Sequence, residues 1–157
     1  MAIAPITRGF GFAVMEGPEK LVASGNKAFR GNKNARVLAW AEKFIQLYQP
    51  AVLVLPEVHG KDTHRAKRIK LLHQQLVALA GKHLLKVREI SATRQRDKLL
   101  NDPKGTKYEM AEQLAAQFPT ELSARLPPKR QPWMSEDPRM DIFDAVGLAV
   151  VFWKPLK

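Results

Sequence analysis

The sequence predicts an α/β protein in which helices flank a mixed sheet. Three observations carry that expectation. Strand-like segments separated by Gly and Pro open the chain, the apolar run Ala51-Val-Leu-Val-Leu55 has strand length, and amphipathic helical periods alternate with strands after residue 34. With 157 residues, 45% of them hydrophobic, the chain is long enough to enclose a substantial core. Residues 1–157 are read as a single domain. They contain no internal repeat, and the Pro-rich stretch Leu126–Pro138 is too short and too late to form a boundary between domains.

The elements follow in order. Phe10–Met15 is a strand, punctuated by Gly9 before it and Gly17-Pro18 after it. Leu21–Ser24 is a second strand and Gly25–Phe29 a third. Asn34 then caps a helix whose Val37, Trp40, Ala41, Phe44, Leu47 and Tyr48 recur at three- and four-residue intervals, and Pro50 ends it. That spacing makes Trp40, Phe44 and Tyr48 core residues. Ala51–Leu55 lacks alternation, which suits a strand buried on both faces, and Pro56-Glu57 stops it. Thr63 to Leu85 is a long helix with an inner stripe of Ile69, Leu72, Leu76 and Leu79. Val87–Ile90 is a short strand, Thr106–Phe118 a helix, Leu126–Pro138 an extended surface segment with four prolines, and Asp141–Phe152 a mostly apolar helix.

Composition removes several classes of function. Zero Cys excludes a disulfide framework, a thiol nucleophile and a cysteine-bound zinc. No apolar run approaches the ~20 residues of a membrane span, and Met1–Met15 lacks the basic-then-apolar pattern of an export signal, so a cytoplasmic protein is expected. The four His form no close-set ligand pair. A net charge of +11 is concentrated: His59–Lys107 holds 13 Lys/Arg against 4 Asp/Glu. Such a surface is the footprint of a polyanion, usually nucleic acid, although a merely solvated basic face has the same composition.

Two places put carboxylates where packing alone explains them poorly. Glu57 directly follows a buried strand at its C-terminal end, where open α/β sheets place their sites. Asp141 and Asp144 are three apart at the start of an apolar helix and share one face. Like charges held together near a core repel by a kcal/mol or so unless a cation separates them, and hard oxygens of this kind suit Mg²⁺ or Mn²⁺. Taken alone, the pair serves equally well as a cap and dipole partner of its helix.

In order and spacing these motifs resemble the RuvC-like Holliday-junction resolvases of the RNase H superfamily. The family's Ile-Asp-Pro-Gly-x-Arg and Gly-Tyr-Gly hairpin is similar to Ile3-Ala4-Pro5-Ile6-Thr7-Arg8 and Gly9-Phe10-Gly11. Its strand-ending Glu is matched by Glu57, and its Asp-x-x-Asp-Ala-x-x-x-Ala by Asp141 through Ala149. Its Gly-x-x-Lys/Gln helix start resembles Gly105-Thr106-Lys107. The resemblance spans nearly the whole chain. It implies a five-stranded RNase H-like sheet and a Mg²⁺- or Mn²⁺-dependent endodeoxyribonuclease acting on branched DNA in recombination and repair. It also implies a homodimer, metal ligands Glu57, Asp141 and Asp144, and Lys107 near the scissile phosphate.

One departure stands out. The family's first-strand Asp falls on Ala4, and Glu16 lies roughly 15–20 Å along the second strand, too far to substitute. Glu57, Asp141 and Asp144 therefore make an incomplete metal site. The alternative expectation is a catalytically impaired nucleic-acid-binding protein on the same fold, with an RNA-directed relative as a third. The candidate DNA contacts are Arg8, the cluster Lys61, Arg65, Lys67, Arg68 and Lys70 after Glu57, and a second group Arg94, Arg96, Lys98, Lys104 and Lys107. Trp133 and Trp153 are left open as exposed contact residues.

Overall fold

In the computed structural model, which describes residues 1–58 and 67–155, five strands form one sheet in the order β3-β2-β1-β4-β5. They are β1 (Ala2–Pro5), β2 (Gly9–Met15), β3 (Leu21–Ala28), β4 (Val52–Pro56) and β5 (Lys86–Ile90). The first three make an antiparallel meander, whereas β4 and β5 run parallel to β1. The described helices are α1 (Lys33–Tyr48), α2 (Lys67–Lys82), α3 (Ala92–Leu100), α4 (Lys107–Gln117), α5 (Pro119–Leu122) and α6 (Met140–Trp153), with a 3₁₀ turn at Ser123–Arg125. The mixed sheet with helices on both faces is the α/β architecture expected. Among the described residues, no helix is long and apolar enough to cross a membrane.

Period-2 alternation sorts the strand side chains into two cores. Ile3, Phe10, Val14, Leu53 and Leu55 pack against α1 and α2. Ala2, Ala4, Ala13, Val54 and Ile90 face α6. The second set is small where it matters: Ala2, Ala4, Gly11 and Ala13 leave room for α6 to lie close on the sheet. A Cβ on Gly11 would collide with the backbone carbonyl of Asp141. The alternation Phe10-Gly11-Phe12 therefore both fills one core with aromatics and seats the first turn of α6 on the other face. α6 is apolar almost all round because the sheet covers one side and α3 and α4 the other.

Several local expectations change. Leu21–Ser24 and Gly25–Phe29 are one strand, because β3 pairs continuously with β2 through Ser24 and Gly25. The short β1 lacks an alternating pattern and is held by pairing on both sides. Asn32, in the left-handed region at φ 48°, takes the N-cap position of α1 in place of Asn34. Asn34 instead pairs with Arg68, its Oδ1 accepting from the guanidinium at 2.9 Å and its Nδ2 donating to the Arg68 carbonyl at 3.0 Å. Helix α3 was not expected; its signal is Ser91, whose Oγ accepts the Arg94 N–H at 3.1 Å. The first residues of the expected Thr63–Leu85 helix lie outside the described residues.

Candidate functional site

The C-terminal ends of β1 and β4, the first turns of α3 and α4, and the start of α6 enclose a cleft of about 650 Å³. This is where an α/β sheet places its sites, because the chain leaves adjacent strands there and loops diverge around a gap. Its walls carry the cations Arg8, Arg68, Arg96 and Lys107 and the acids Glu136, Asp141 and Asp144, with Ala4 and Pro56 forming the floor.

The acids come together through α6. Asp141 and Asp144, three apart on its first turns, point into the cleft, and Glu136 reaches in from the segment just before the helix. One carboxylate oxygen from each lies within 4.8 Å of the others. Asp141 is almost fully buried, its side chain 3% exposed. Burial pushes its carboxyl upward, against the pull of Arg8. Burial likewise pushes Asp144 up to about 6; the Lys107 ammonium opposes this, and the Glu136 and Asp141 charges reinforce it.

Cations from the chain itself already hold these oxygens. Arg8 donates from Nη2 to both Asp141 oxygens, at 3.1 and 3.3 Å. Lys107 Nζ lies 3.2 and 3.3 Å from the Glu136 oxygens and 3.4 Å from Asp144. Partial burial disfavours the Lys107 charge, yet Asp144 and Glu136 more than offset it and hold the amine above the usual lysine value. The turn that carries Arg8 is itself clamped. The Arg68 guanidinium donates to the carbonyls of Ile6 and Thr7, both at 3.1 Å, and Lys33 Nζ donates to Thr7 at 3.0 Å. Asp137 organises the approach to α6, accepting from the Arg139 N–H and guanidinium, and that arginine draws its carboxyl down to about 2.

The structure brings together Asp141, Asp144, Lys107, Arg8, Arg68 and Arg96. It does not bring Glu57 to them. Glu57 is half-buried just past β4, its N–H donating to the Ile90 carbonyl at 3.0 Å, and it belongs neither to the cleft wall nor to the acidic group. Val54 packs in the core beside α6, Pro56 two positions on lines the cleft, and β4 ends there, so Glu57 follows after the strand position that takes the cleft. Because Ala4 pairs alongside β4, the two cleft-facing strand ends offer a methyl group and a proline ring. Glu136 was missed, being hidden in the Pro-rich segment; its signal was a Glu-Asp pair just ahead of the apolar helix. Lys67 and Lys70 on α2, with Arg94, Lys98 and Lys104, lie outside the cleft wall. Lys61, Arg65, His59 and His64 lie outside the described residues.

The three acids supply hard oxygen donors of the kind Mg²⁺ or Mn²⁺ takes. In this packing Arg8 grips both oxygens of Asp141 and Lys107 bridges the other two acids, so an ion held by the three carboxylates would displace these two side chains. At its rim the cleft presents two cations, Arg8 and Lys107, paired with its three carboxylates.

The sheet order, the helix laid across one face and the acids at its first turn define an RNase H-like fold of the RuvC type. No family model matches the chain, and no curated protein does. The Thermus thermophilus RuvC structure superposes with a TM-score of 0.69 at 13% identity, covering 95% of this chain and 89% of that one. T. thermophilus RuvC in complex with Holliday junction substrate gives 0.69 at 14% identity, over 95% and 88% of the two chains. At that identity the likeness is one of fold.

Proposed function

We propose that the chain is a nucleic-acid-binding protein on a junction-resolvase fold, which takes the phosphodiester backbone of branched or duplex DNA against its cleft without needing a divalent ion. The observation that carries this reading is the pairing of Arg8 with buried Asp141, at a cleft whose strand ends are Ala4 and Pro56. The cations that a phosphate would meet are side chains, and Arg96 and Lys107 line the same cleft as Arg8. Solved RuvC in complex with a Holliday junction supports the class of partner. A symmetric junction would engage two copies, so the homodimer belongs to the same reading.

A second reading, metal-dependent cleavage of the junction, is favoured by the three carboxylates within 4.8 Å of one another. It requires Arg8 to leave Asp141. One experiment separates the two. Labelled four-way junction and duplex are titrated with protein at fixed ionic strength, in EDTA and in Mn²⁺, and the products are run on a denaturing gel. Binding that is equal in EDTA and Mn²⁺, with a log–log salt slope of about −2 to −5 and no cleavage, supports the first reading. Mn²⁺-dependent cuts that disappear in Asp141→Asn establish the second and overturn the first.

A further inference from the structure

We propose that the turn Gln131–Met134 is a second contact site of the cleft, where Trp133 stacks on an unpaired DNA base and Lys129 and Arg130 hold the adjoining phosphates. The inference rests on the nucleic-acid reading above and adds to it the kind of DNA, a strand with exposed bases. Trp133 is 82% exposed and Met134 beside it 49%. A large aromatic so placed contributes little to folding. The turn is nevertheless built. Pro132 occupies its second position, the Met134 N–H donates to the Gln131 carbonyl at 3.0 Å, and Tyr108 Oη donates to the Pro127 carbonyl at 2.7 Å upstream. Pro127, Pro128, Pro132 and Pro138 restrict the backbone, so the turn that carries the indole has little conformational freedom to lose.

The surroundings select the partner. From Leu126 to Ser135 the segment carries Lys129 and Arg130 and no acid. The acids that follow are already matched, Glu136 by Lys107 and Asp137 by Arg139. Among the described residues Lys129 and Arg130 have no ion-pair partner. They line a groove of about 320 Å³ that shares Lys107 and Glu136 with the main cleft, so a strand leaving the cleft runs directly past them. Cations interleaved with an exposed aromatic suit a nucleic-acid strand, the charges tracking phosphates and the ring meeting a base. A base inside a duplex already has both faces covered, whereas a single strand or an opened branch point offers one.

The full-length chain and its Trp133→Ala and Trp133→Phe variants test this, with folding checked by circular dichroism. Each is titrated with a 20-nucleotide oligo-dT, a forked duplex and a blunt duplex, following fluorescence anisotropy and intrinsic tryptophan emission. The expected result is quenching of the red-shifted, exposed emission of the wild type by oligo-dT and fork. Trp133→Ala should bind those two about tenfold more weakly, keep its blunt-duplex affinity within about twofold, and be largely rescued in Trp133→Phe. Equal affinities of wild type and Trp133→Ala for the fork overturn the inference while leaving the nucleic-acid reading intact. An equal loss on all three DNAs also overturns it, since base stacking would not weaken duplex binding. If the wild type binds none of the DNAs, both fail together.

Discussion

Removing Arg8 is the sharpest perturbation of the cleft. In Arg8→Ala, Asp141 loses two charge-assisted hydrogen bonds while its side chain stays 3% exposed. Breaking a fully buried pair costs about 3–5 kcal/mol because an uncompensated charge remains. Here the Arg8 side chain is 45% exposed, so water screens much of the interaction and about 2 kcal/mol is the expected loss at pH 7.5. For a chain of this size that is a fall in Tm of about 4–8 °C. The loss should shrink toward pH 5. Burial already holds the Asp141 carboxyl above its ordinary value, so without Arg8 it takes up a proton more readily. The same change uncovers the Asp141 carboxylate, beside Glu136 and Asp144, which Lys107 still bridges. Mn²⁺ should therefore restore stability in the variant and do little for the wild type. Urea or thermal unfolding in EDTA and in Mn²⁺, at pH 7.5 and pH 5, measures all of this. If Mn²⁺ stabilises the wild type as much as the variant, or if Arg8→Ala unfolds like the wild type in EDTA, the self-neutralised cleft is refuted.

Three further outcomes follow from the same geometry. Asp144, raised to about 6, is favoured in its protonated form by the folded chain; its ionisation therefore destabilises the fold as pH rises from about 4 through 6, and that burden is fully present at pH 7.5. Acidification through 6 also removes a negative charge beside Lys107, so DNA affinity at fixed salt should rise about threefold to tenfold between pH 7.5 and 5.5. Asp144→Asn should bind at that higher level throughout, with a flattened profile; an unchanged pH slope in anisotropy titrations counts against the assignment. Gly11→Ala would press a methyl group against the Asp141 carbonyl and push the first turn of α6 off the sheet. A loss of about 1–3 kcal/mol in urea unfolding is expected, with weaker DNA binding from the displaced cleft wall. A variant as stable as the wild type would mean that α6 is not seated there.

The sequence alone determined the layered α/β arrangement, because periodicity reports which side of an element is apolar and that needs no partner to be legible. The strand at Val52–Pro56, the helices at Lys33–Tyr48 and Met140–Trp153, and the juxtaposition of Asp141 with Asp144 are all of this local kind. So is the basic surplus, some of which, in Arg8, Arg96 and Lys107, lines the cleft. What tertiary structure decided was pairing between residues far apart in the chain. Arg8 meets Asp141 across 133 positions and Lys107 meets Glu136 across 29. Such contacts depend on how the hairpin turn, α4 and α6 are brought to one rim, which no local pattern encodes. Glu57 illustrates the same limit in reverse: it directly follows a strand, as a site residue would, but Pro56, one position earlier, takes the place in the cleft wall. Whether the acids face a free ion or a side-chain cation was therefore set by three-dimensional packing, since charge neutralisation depends on distance and burial rather than on sequence order.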